Sequence, residues 1–242
     1  NGFEIRYCQP VDLRFIGLFD TVLSTNNSGL SYNLDIPDAF SHVAHAIALN
    51  EFRGGAVLGR PPGAVGGFDL ESIHMNAGGS ALQSGQARIE MGFIGAHSDI
   101  GGGYEDGDLS DVALSWMVKQ AIDADVTMTK PPLSLPIDPV IHDRSNAIKT
   151  GKPTDRSEDR VVRYRDGSTT TQRNMALISG MSFPDTLEWI KYQERSPKHD
   201  IDYAGNSFTD ANDPEERRIA DVTGTVNAAG YLDWLKKHGY EF

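Results

Sequence analysis

Two short apolar runs, each ending at an acidic or basic side chain, constrain this sequence more than any other feature. The first covers residues 13–19 and ends at Asp20, and the second covers residues 88–96 and ends at His97. A short apolar run bounded by a polar turn predicts a strand buried on both faces, as in a parallel sheet. Because active sites in open α/β sheets gather at the carboxyl ends of strands, Asp20 and His97 are candidate site residues.

The order of these two residues along the chain favours one reaction chemistry. In α/β-hydrolases the catalytic residues follow one another as nucleophile, acid and histidine, and here Asp20 precedes His97. A carboxylate holds the imidazole in its reactive tautomer, and the imidazole then deprotonates a serine. We therefore predict that Asp20 lies within hydrogen-bonding reach of His97 and orients it as a general base. The alternatives are a turn or helix-capping role for Asp20 and a buried structural role for His97.

The nucleophile of such a triad is not recognisable in this sequence. It normally stands in a Gly-x-Ser-x-Gly elbow, and no such pentapeptide occurs in the 242 residues. Ser80 and Ser84 have glycine neighbours, but no buried strand is predicted before either of them. The order of the triad therefore places the serine before Asn1, and we expect an upstream polypeptide segment to carry it.

Composition excludes several other classes of protein. The formal net charge of −12 argues against a nucleic-acid partner, which requires a basic surface. The sequence has no apolar run of about 18 residues that could span a bilayer. A single cysteine, Cys8, rules out an internal disulfide bond, so a packed core must supply the stability.

The sequence suggests no cofactor, although two groups of side chains allow a metal as an alternative. The apolar spacing from Phe40 to Phe52 predicts a helix, and His42 and His45 would share one face of it as candidate zinc ligands. Calcium is the second alternative, because a cluster of hard oxygen ligands follows His97. The cluster lacks the spacing of an EF-hand, which favours a solvated acidic loop. Its members are Asp99, Glu105, Asp106 and Asp108.

The rest of the chain gives weaker signals of local structure. Ser110 is a suitable N-cap for an amphipathic helix, and Asp166-Gly167 predicts the tight turn of a hairpin. Short helices are predicted at 185–192 and 231–237. Residues 54–88 are rich in glycine and predict a long irregular connection of the kind that forms lids or membrane contacts.

Three segments resemble one known family. They are residues 15–22, which contain Phe19-Asp20-Thr21-Val22, residues 45–53, and residues 95–117, which contain the motif HSDIGGGY. Together they are similar to the α/β-hydrolase domain of the type VI secretion lipase effectors, and more narrowly to the first family of these effectors. The resemblance covers residues 13–145.

The resemblance implies both a fold and an activity. The triad acid would fall on Asp20 and the triad histidine on His97, with the serine upstream of Asn1. The implied fold is the C-terminal half of an α/β-hydrolase-like sheet with helices on its faces and irregular insertions. The implied reaction is phospholipase A-type hydrolysis of glycerophospholipid esters, without a cofactor. Asn50 stands where the family often has aspartate.

The resemblance also bears on domains, partners and location. Residues 1–145 would be the C-terminal part of the catalytic domain, and residues 146–242 an accessory or membrane-contacting segment. The implied partners are a phospholipid or membrane substrate, an immunity protein and a secretion spike protein, with the periplasm of a target bacterium as the site of action. The rival functions are a soluble carboxylesterase on the same scaffold and a hydrolase remnant that acts as a binding module.

Overall fold

The computed structural model describes residues 11–22, 36–51, 68–79, 85–105, 108–142, 160–172, 190–193 and 223–242. Within these ranges the helices are α1 (His97–Gly101), α2 (Ser110–Asp123) and α3 (Ala228–Lys237). The strands are β1 (Phe15–Phe19), β2 (His42–Ala48), β3 (Leu70–Glu71), β4 (Ala87–Phe93), β5 (Val140–His142), β6 (Val161–Arg163), β7 (Thr169–Thr171), β8 (Ile190–Gln193) and β9 (Thr223–Val226). This mixture of helices with parallel and antiparallel strands agrees with the predicted α/β class.

A parallel sheet of order β1-β2-β4 carries both candidate residues. Its outer strands lie where the two apolar runs predicted them, so both strand predictions are confirmed. Phe19 is paired with Ala46, and Phe93 is paired with Ala48, which places the carboxyl ends of all three strands at one edge. Asp20 follows β1 directly, and His97 follows β4 after a short turn, so both residues reach that edge.

The helix predicted from Phe40 to Phe52 is wrong, because β2 occupies residues 42–48. Every residue of β2 after His42 is buried, since the strand lies between two others and under α2. A strand that is buried on both faces does not need alternating polar and apolar residues. The spacing of its apolar residues can therefore match that of a helix. His42 and His45 lie three residues apart on a strand and so face opposite sides, which removes the proposed zinc pair.

One hydrophobic core joins the first and last parts of the chain. On α2, Trp116 packs edge-on against Phe93 of β4 with ring centroids 5.4 Å apart. Tyr231 and Leu235 of α3 are buried in the same core, as is Tyr240. Residues on both sides of position 145 therefore share a core. The domain division predicted at that position stays a prediction.

The smaller sheets confirm some local predictions and correct others. In the sheet of order β3-β6-β7, β6 and β7 form the predicted hairpin, whose Gly167 has a φ of 82°. In the sheet of order β5-β9-β8, residues 190–193 form a strand, so the helix predicted at 185–192 is wrong there. The helix predicted at 231–237 lies within α3, and Ser110 is the first residue of α2 rather than its cap. Among the residues described, no helix combines the length and apolar character that a membrane span requires.

Tyr240 offers a test of how α3 is attached to the parallel sheet. Its buried hydroxyl donates a 2.6 Å hydrogen bond to the Gly92 carbonyl on β4. We expect Tyr240→Phe to lower the free energy of unfolding by about 1 kcal/mol, measured by urea denaturation with an unchanged m-value. Lys237→Gln on α3 is the control, because Lys237 is exposed and pairs with exposed Asp233, so its loss should leave the midpoint unchanged. Equal effects of the two variants would contradict this attachment.

Candidate active site

The structure brings Asp20 and His97 into direct contact. Asp20 takes a φ of 41°, a left-handed conformation that aspartate tolerates better than most residues. Its N–H donates to the Ala46 carbonyl at 2.7 Å, which closes the turn over the end of β2. The His97 Nδ1 atom lies 2.8 Å from the Asp20 Oδ2 atom. The predicted contact is therefore present, while the catalytic roles of the two residues stay a prediction.

The Asp20 carboxylate is fully buried, and each of its lone pairs is satisfied. Oδ1 accepts from the Ala48 N–H at 2.9 Å and from Arg160 Nη2 at 2.7 Å. Oδ2 contacts Arg160 Nη1 at 2.8 Å and His97 Nδ1 at 2.8 Å. A carboxylate has about four acceptor positions, so the four neighbours use its whole capacity. The side chain therefore has one favourable orientation.

This set of donors fixes the protonation of the pair. Burial by itself would raise the pKa of Asp20, but the Arg160 charge and the hydrogen bonds from His97 and Arg160 bring it well below its usual range. Because Asp20 is ionised, His97 Nδ1 must carry the proton that lies between them. In the neutral form of the ring, the Nε2 atom of His97 then has the lone pair that a general base requires.

Arg160 is the residue of this site that sequence reasoning missed. Its side chain is fully buried, and all five of its N–H groups have acceptors. Two reach Asp20, and the others reach the carbonyls of Ala48 at 2.9 Å and Phe68 at 3.2 Å and the Gln172 Oε1 atom at 3.2 Å. The only signal in the sequence is an arginine directly before the apolar β6, which by itself does not distinguish a buried arginine from an exposed one.

The ring of His97 is partly open to solvent, with 29% of its side chain exposed. Phe68 packs edge-on against it, with ring centroids 5.1 Å apart. The backbone N–H of His97 donates to Oε2 of buried Glu51 at 3.3 Å. An imidazole that is held on one side and partly exposed on the other can meet a substrate while keeping its orientation.

A second set of contacts fixes the turn between β4 and α1. Asn50 and Gly95 exchange two hydrogen bonds: the Gly95 N–H donates to Asn50 Oδ1 at 2.8 Å, and the Asn50 N–H donates to the Gly95 carbonyl at 2.9 Å. Gly95 has a φ of 124°, and a Cβ atom there would lie 2.5 Å from Asp99 Cβ. Only glycine fits this position, which lies two residues before His97.

Asp99 belongs to this turn and has its own histidine. Its Oδ2 atom accepts from the N–H groups of Ala96 and His142, both at 2.9 Å, and its Oδ1 atom lies 2.9 Å from His142 Nδ1. The place of Asp99, two residues after His97, predicts that it bonds to backbone amides around Gly101–Gly103 or near Ser110 instead of acting as the triad acid. The predicted amide partners are wrong, because the amides of Ala96 and His142 take their place. Burial raises the pKa of Asp99 despite these donors.

A buried polar network supports the residue after Asp20. The Thr21 N–H donates to His45 Nε2 at 3.0 Å, so the proton of this ring lies on Nδ1 and is donated to Glu90 Oε2 at 2.9 Å. Ser72 Oγ and the Ile73 N–H also donate to Glu90. Burial alone would raise the pKa of Glu90, yet the hydrogen bonds from His45 and from the Ile73 N–H help to hold it below its usual value. His45 is thus a neutral structural histidine.

Neither metal alternative gains support from the geometry. Within the described ranges, no three His, Cys, Asp or Glu side chains form a group that could hold a metal ion. Of the acidic cluster after His97, Asp99 bonds to His142, and Asp106 lies outside the described residues. That no cofactor is needed stays a prediction.

One groove of the described structure lies away from this site. It has a volume of about 1230 Å³ and runs between α2, α3 and residues 130–138. Neither Asp20 nor His97 lines it. No serine hydroxyl in the described part of the chain is hydrogen-bonded to the His97 ring. Ser80 and Ser84 lie outside the described residues.

Comparison with known families agrees with the sequence resemblance. Residues 2–120 match the family model described as "T6SS, Phospholipase effector Tle1-like, catalytic domain", where T6SS is the type VI secretion system. The matched range contains Asp20 and His97 and ends within α2, whereas Arg160 lies beyond it. The predicted family is thereby confirmed for this range. Searches of curated proteins and of solved structures found no significant match.

The carboxyl group of Glu71 should make the free energy of unfolding depend on pH. Glu71 of β3 has a buried Oε1 atom that accepts no hydrogen bond from any described residue, and its nearest cation is Arg163 Nε at 3.8 Å. Burial raises the pKa of Glu71 to about 7; the charge of Arg163 opposes this rise, and the charge of Asp69 adds to it.

We expect Glu71→Gln to gain stability relative to the unchanged protein as the pH rises from 5 to 8. Between its usual value of 4.5 and about 7, the carboxyl group binds more protons in the folded state than in the unfolded state. The free energy of unfolding therefore falls as pH rises through this window, and glutamine removes that loss. Urea denaturation at several pH values measures it. Exposed Glu105→Gln is the control, and matching pH profiles for both variants would refute the assignment.

Proposed function

We propose that the chain, whose residues 2–120 match the family model of the Tle1-like phospholipase effectors of the type VI secretion system, supplies the acid and base of a lipolytic serine hydrolase. The observation that carries this proposal is the 2.8 Å contact between His97 Nδ1 and Asp20 Oδ2, made at the carboxyl ends of parallel strands. The sheet of order β1-β2-β4 would be the C-terminal half of an α/β-hydrolase-like sheet.

The chemistry follows from the protonation of the pair. His97 Nε2 takes the proton of a serine hydroxyl as the serine oxygen attacks the acyl carbonyl of a glycerophospholipid. Asp20 stabilises the imidazolium that forms and keeps the ring in place. His97 then gives the proton to the departing lysophospholipid oxygen, leaving an acyl-enzyme. A water molecule, deprotonated by the same Nε2 atom, releases the fatty acid and restores the serine.

The proposal assigns the serine and its oxyanion donors to a polypeptide segment upstream of Asn1. This assignment rests on the order of residues in α/β-hydrolases and on the absence of a Gly-x-Ser-x-Gly elbow among the 242 residues. By the same family relation, the partners would be an immunity protein and a secretion spike protein. The place of action would be the periplasm of a target bacterium, with antibacterial phospholipid degradation as the outcome.

Two rival functions make different predictions. A soluble carboxylesterase on this scaffold would prefer short-chain esters in solution to phospholipid vesicles. A remnant without catalysis would bind vesicles and hydrolyse neither substrate. The partial exposure of His97 and its single defined orientation favour a working base over a remnant.

In the protein as it is naturally translated, Asp20→Asn should lower kcat by about 10⁴-fold. This is the order of loss expected when a triad acid is removed. The asparagine amide replaces the carboxylate that fixes the tautomer of His97. Asp99→Asn should instead lower the melting temperature and keep most of the activity, because Asp99 holds backbone amides and His142. Fatty-acid release from phospholipid vesicles measures both variants, below the melting temperature of each.

Controls separate the proposal from its rivals. Residues 1–242 assayed alone should be inactive and should gain activity when the upstream segment is added. Turnover by residues 1–242 alone that is abolished by Ser80→Ala or Ser84→Ala would refute the upstream serine. A greater loss of kcat in Asp99→Asn than in Asp20→Asn would refute the assignment of the acid.

A further inference from the structure

We infer that Arg160 is a positioning residue of this active site, which holds Asp20 in the orientation that serves His97 and offsets its charge. The inference rests on the proposed function, and it extends the site beyond the range that the family model matches. Residues 2–120 contain the acid and base, while Arg160 begins the β6–β7 hairpin, which lies outside that range. The C-terminal part of the chain would thus supply a component of the catalytic apparatus.

The hydrogen bonds of Arg160 indicate that Arg160 positions Asp20, and not the reverse. Three of its five N–H groups are held by acceptors other than Asp20, namely the carbonyls of Ala48 and Phe68 and the Gln172 side chain. The Gln172 amide also donates to the Ala48 carbonyl at 3.1 Å, which fixes it in turn. The place of the guanidinium is therefore set by the end of β2, by the residue after β7 and by the segment just before β3. Asp20 therefore accepts hydrogen bonds from two Arg160 N–H groups whose position is fixed by the other acceptors.

Phe68 connects this anchor to the base. Its carbonyl accepts from Arg160 Nη1 at 3.2 Å, and its ring packs against the His97 ring. Arg160 therefore fixes two neighbours of the imidazole, the carboxylate that bonds to Nδ1 and the backbone of the aromatic residue that contacts the ring. Loss of either constraint would leave His97 with more than one orientation, which lowers kcat rather than substrate binding.

The charges around Arg160 predict a second effect. Three carboxylates face the guanidinium, from the end of β1, the end of β2 and the residue before β3: Asp20, Glu51 and Asp69. His97 at the start of α1 is the titratable base next to them, and Gln172 at the end of β7 is neutral. Without the positive charge of Arg160, the Asp20–His97 pair would lose the proton that occupies His97 Nε2 in the inactive form only at higher pH, while the proton between the two residues stays on Nδ1. Arg160 therefore sets the pH at which the pair becomes an active base.

The test compares Arg160→Met and Arg160→Lys in the natural translation product, with a soluble short-chain ester as substrate. Arg160→Met removes the charge, and the acidic limb of the kcat/KM profile should move to higher pH by about one unit. Arg160→Lys keeps the charge but loses the paired contact, so the limb should stay in place while kcat falls about 100-fold at unchanged KM. Arg163→Met on β6 is the matched control, because Arg163 pairs with Asp69 and should leave the profile unchanged.

Two further measurements keep the inference open to refutation if Arg160→Met does not fold. In Arg160→Lys, the downfield Nδ1 proton signal of His97 should weaken in the NMR spectrum, which requires no catalytic activity. The double variant Asp20→Asn/Arg160→Met should regain most of the melting temperature lost by Arg160→Met, because no buried charge of the pair is left without its partner.

The two levels of the hypothesis fail in different ways. If the unchanged protein hydrolyses neither esters nor phospholipids, the proposed function is wrong, whatever the NMR signal shows. If hydrolysis is present and both Arg160 variants keep the wild-type pH profile and kcat, with only a lower melting temperature, then Arg160 is merely structural and the inference is overturned.

Discussion

The buried ion pair between Asp20 and Arg160 is the constraint on which the described site depends. Removing two charges from water costs several kcal/mol for each ion, and attraction offsets that cost only if every other hydrogen-bonding group is satisfied. The four donors around the carboxylate and the five acceptors around the guanidinium meet this condition. They come from β1, β2, β7, α1 and the start of β3, so one ion pair requires the correct placement of distant parts of the chain.

This requirement ties the accuracy of the site to the stability of the fold. Asp20 takes a left-handed conformation that only the surrounding contacts can maintain, and the Ala46 carbonyl and the Ala48 N–H supply them from β2. On the other side, Asn50 and Gly95 fix the turn that leads to His97. Asp20 and the turn that leads to His97 are therefore both held by contacts at the carboxyl end of one strand, β2.

Sequence reasoning found the parts of this site that depend on local pattern. The two apolar runs predicted β1 and β4, and their polar ends predicted Asp20 and His97, because strand burial and strand ends leave a signal in consecutive residues. The same reasoning misread β2 as a helix, since burial on both faces removes the alternation that identifies a strand. Arg160 could not be predicted, because what makes it part of the site is a contact across 140 positions of the chain.

Two Asp–His pairs of nearly equal length lie in this structure, and only their surroundings distinguish them. Asp99 and His142 meet at 2.9 Å, as close as Asp20 and His97 at 2.8 Å. However, the ring of His142 is stacked on Tyr104 with centroids 3.5 Å apart, and 13% of its side chain is exposed, against 29% for His97. No arginine in the described ranges bonds to Asp99, and burial raises the pKa of Asp99, whereas Arg160 keeps Asp20 ionised. A triad acid must stay charged while its histidine gains and loses a proton, so the counter-charge of Arg160, more than the hydrogen-bond length, supports the proposal that Asp20 rather than Asp99 is the acid.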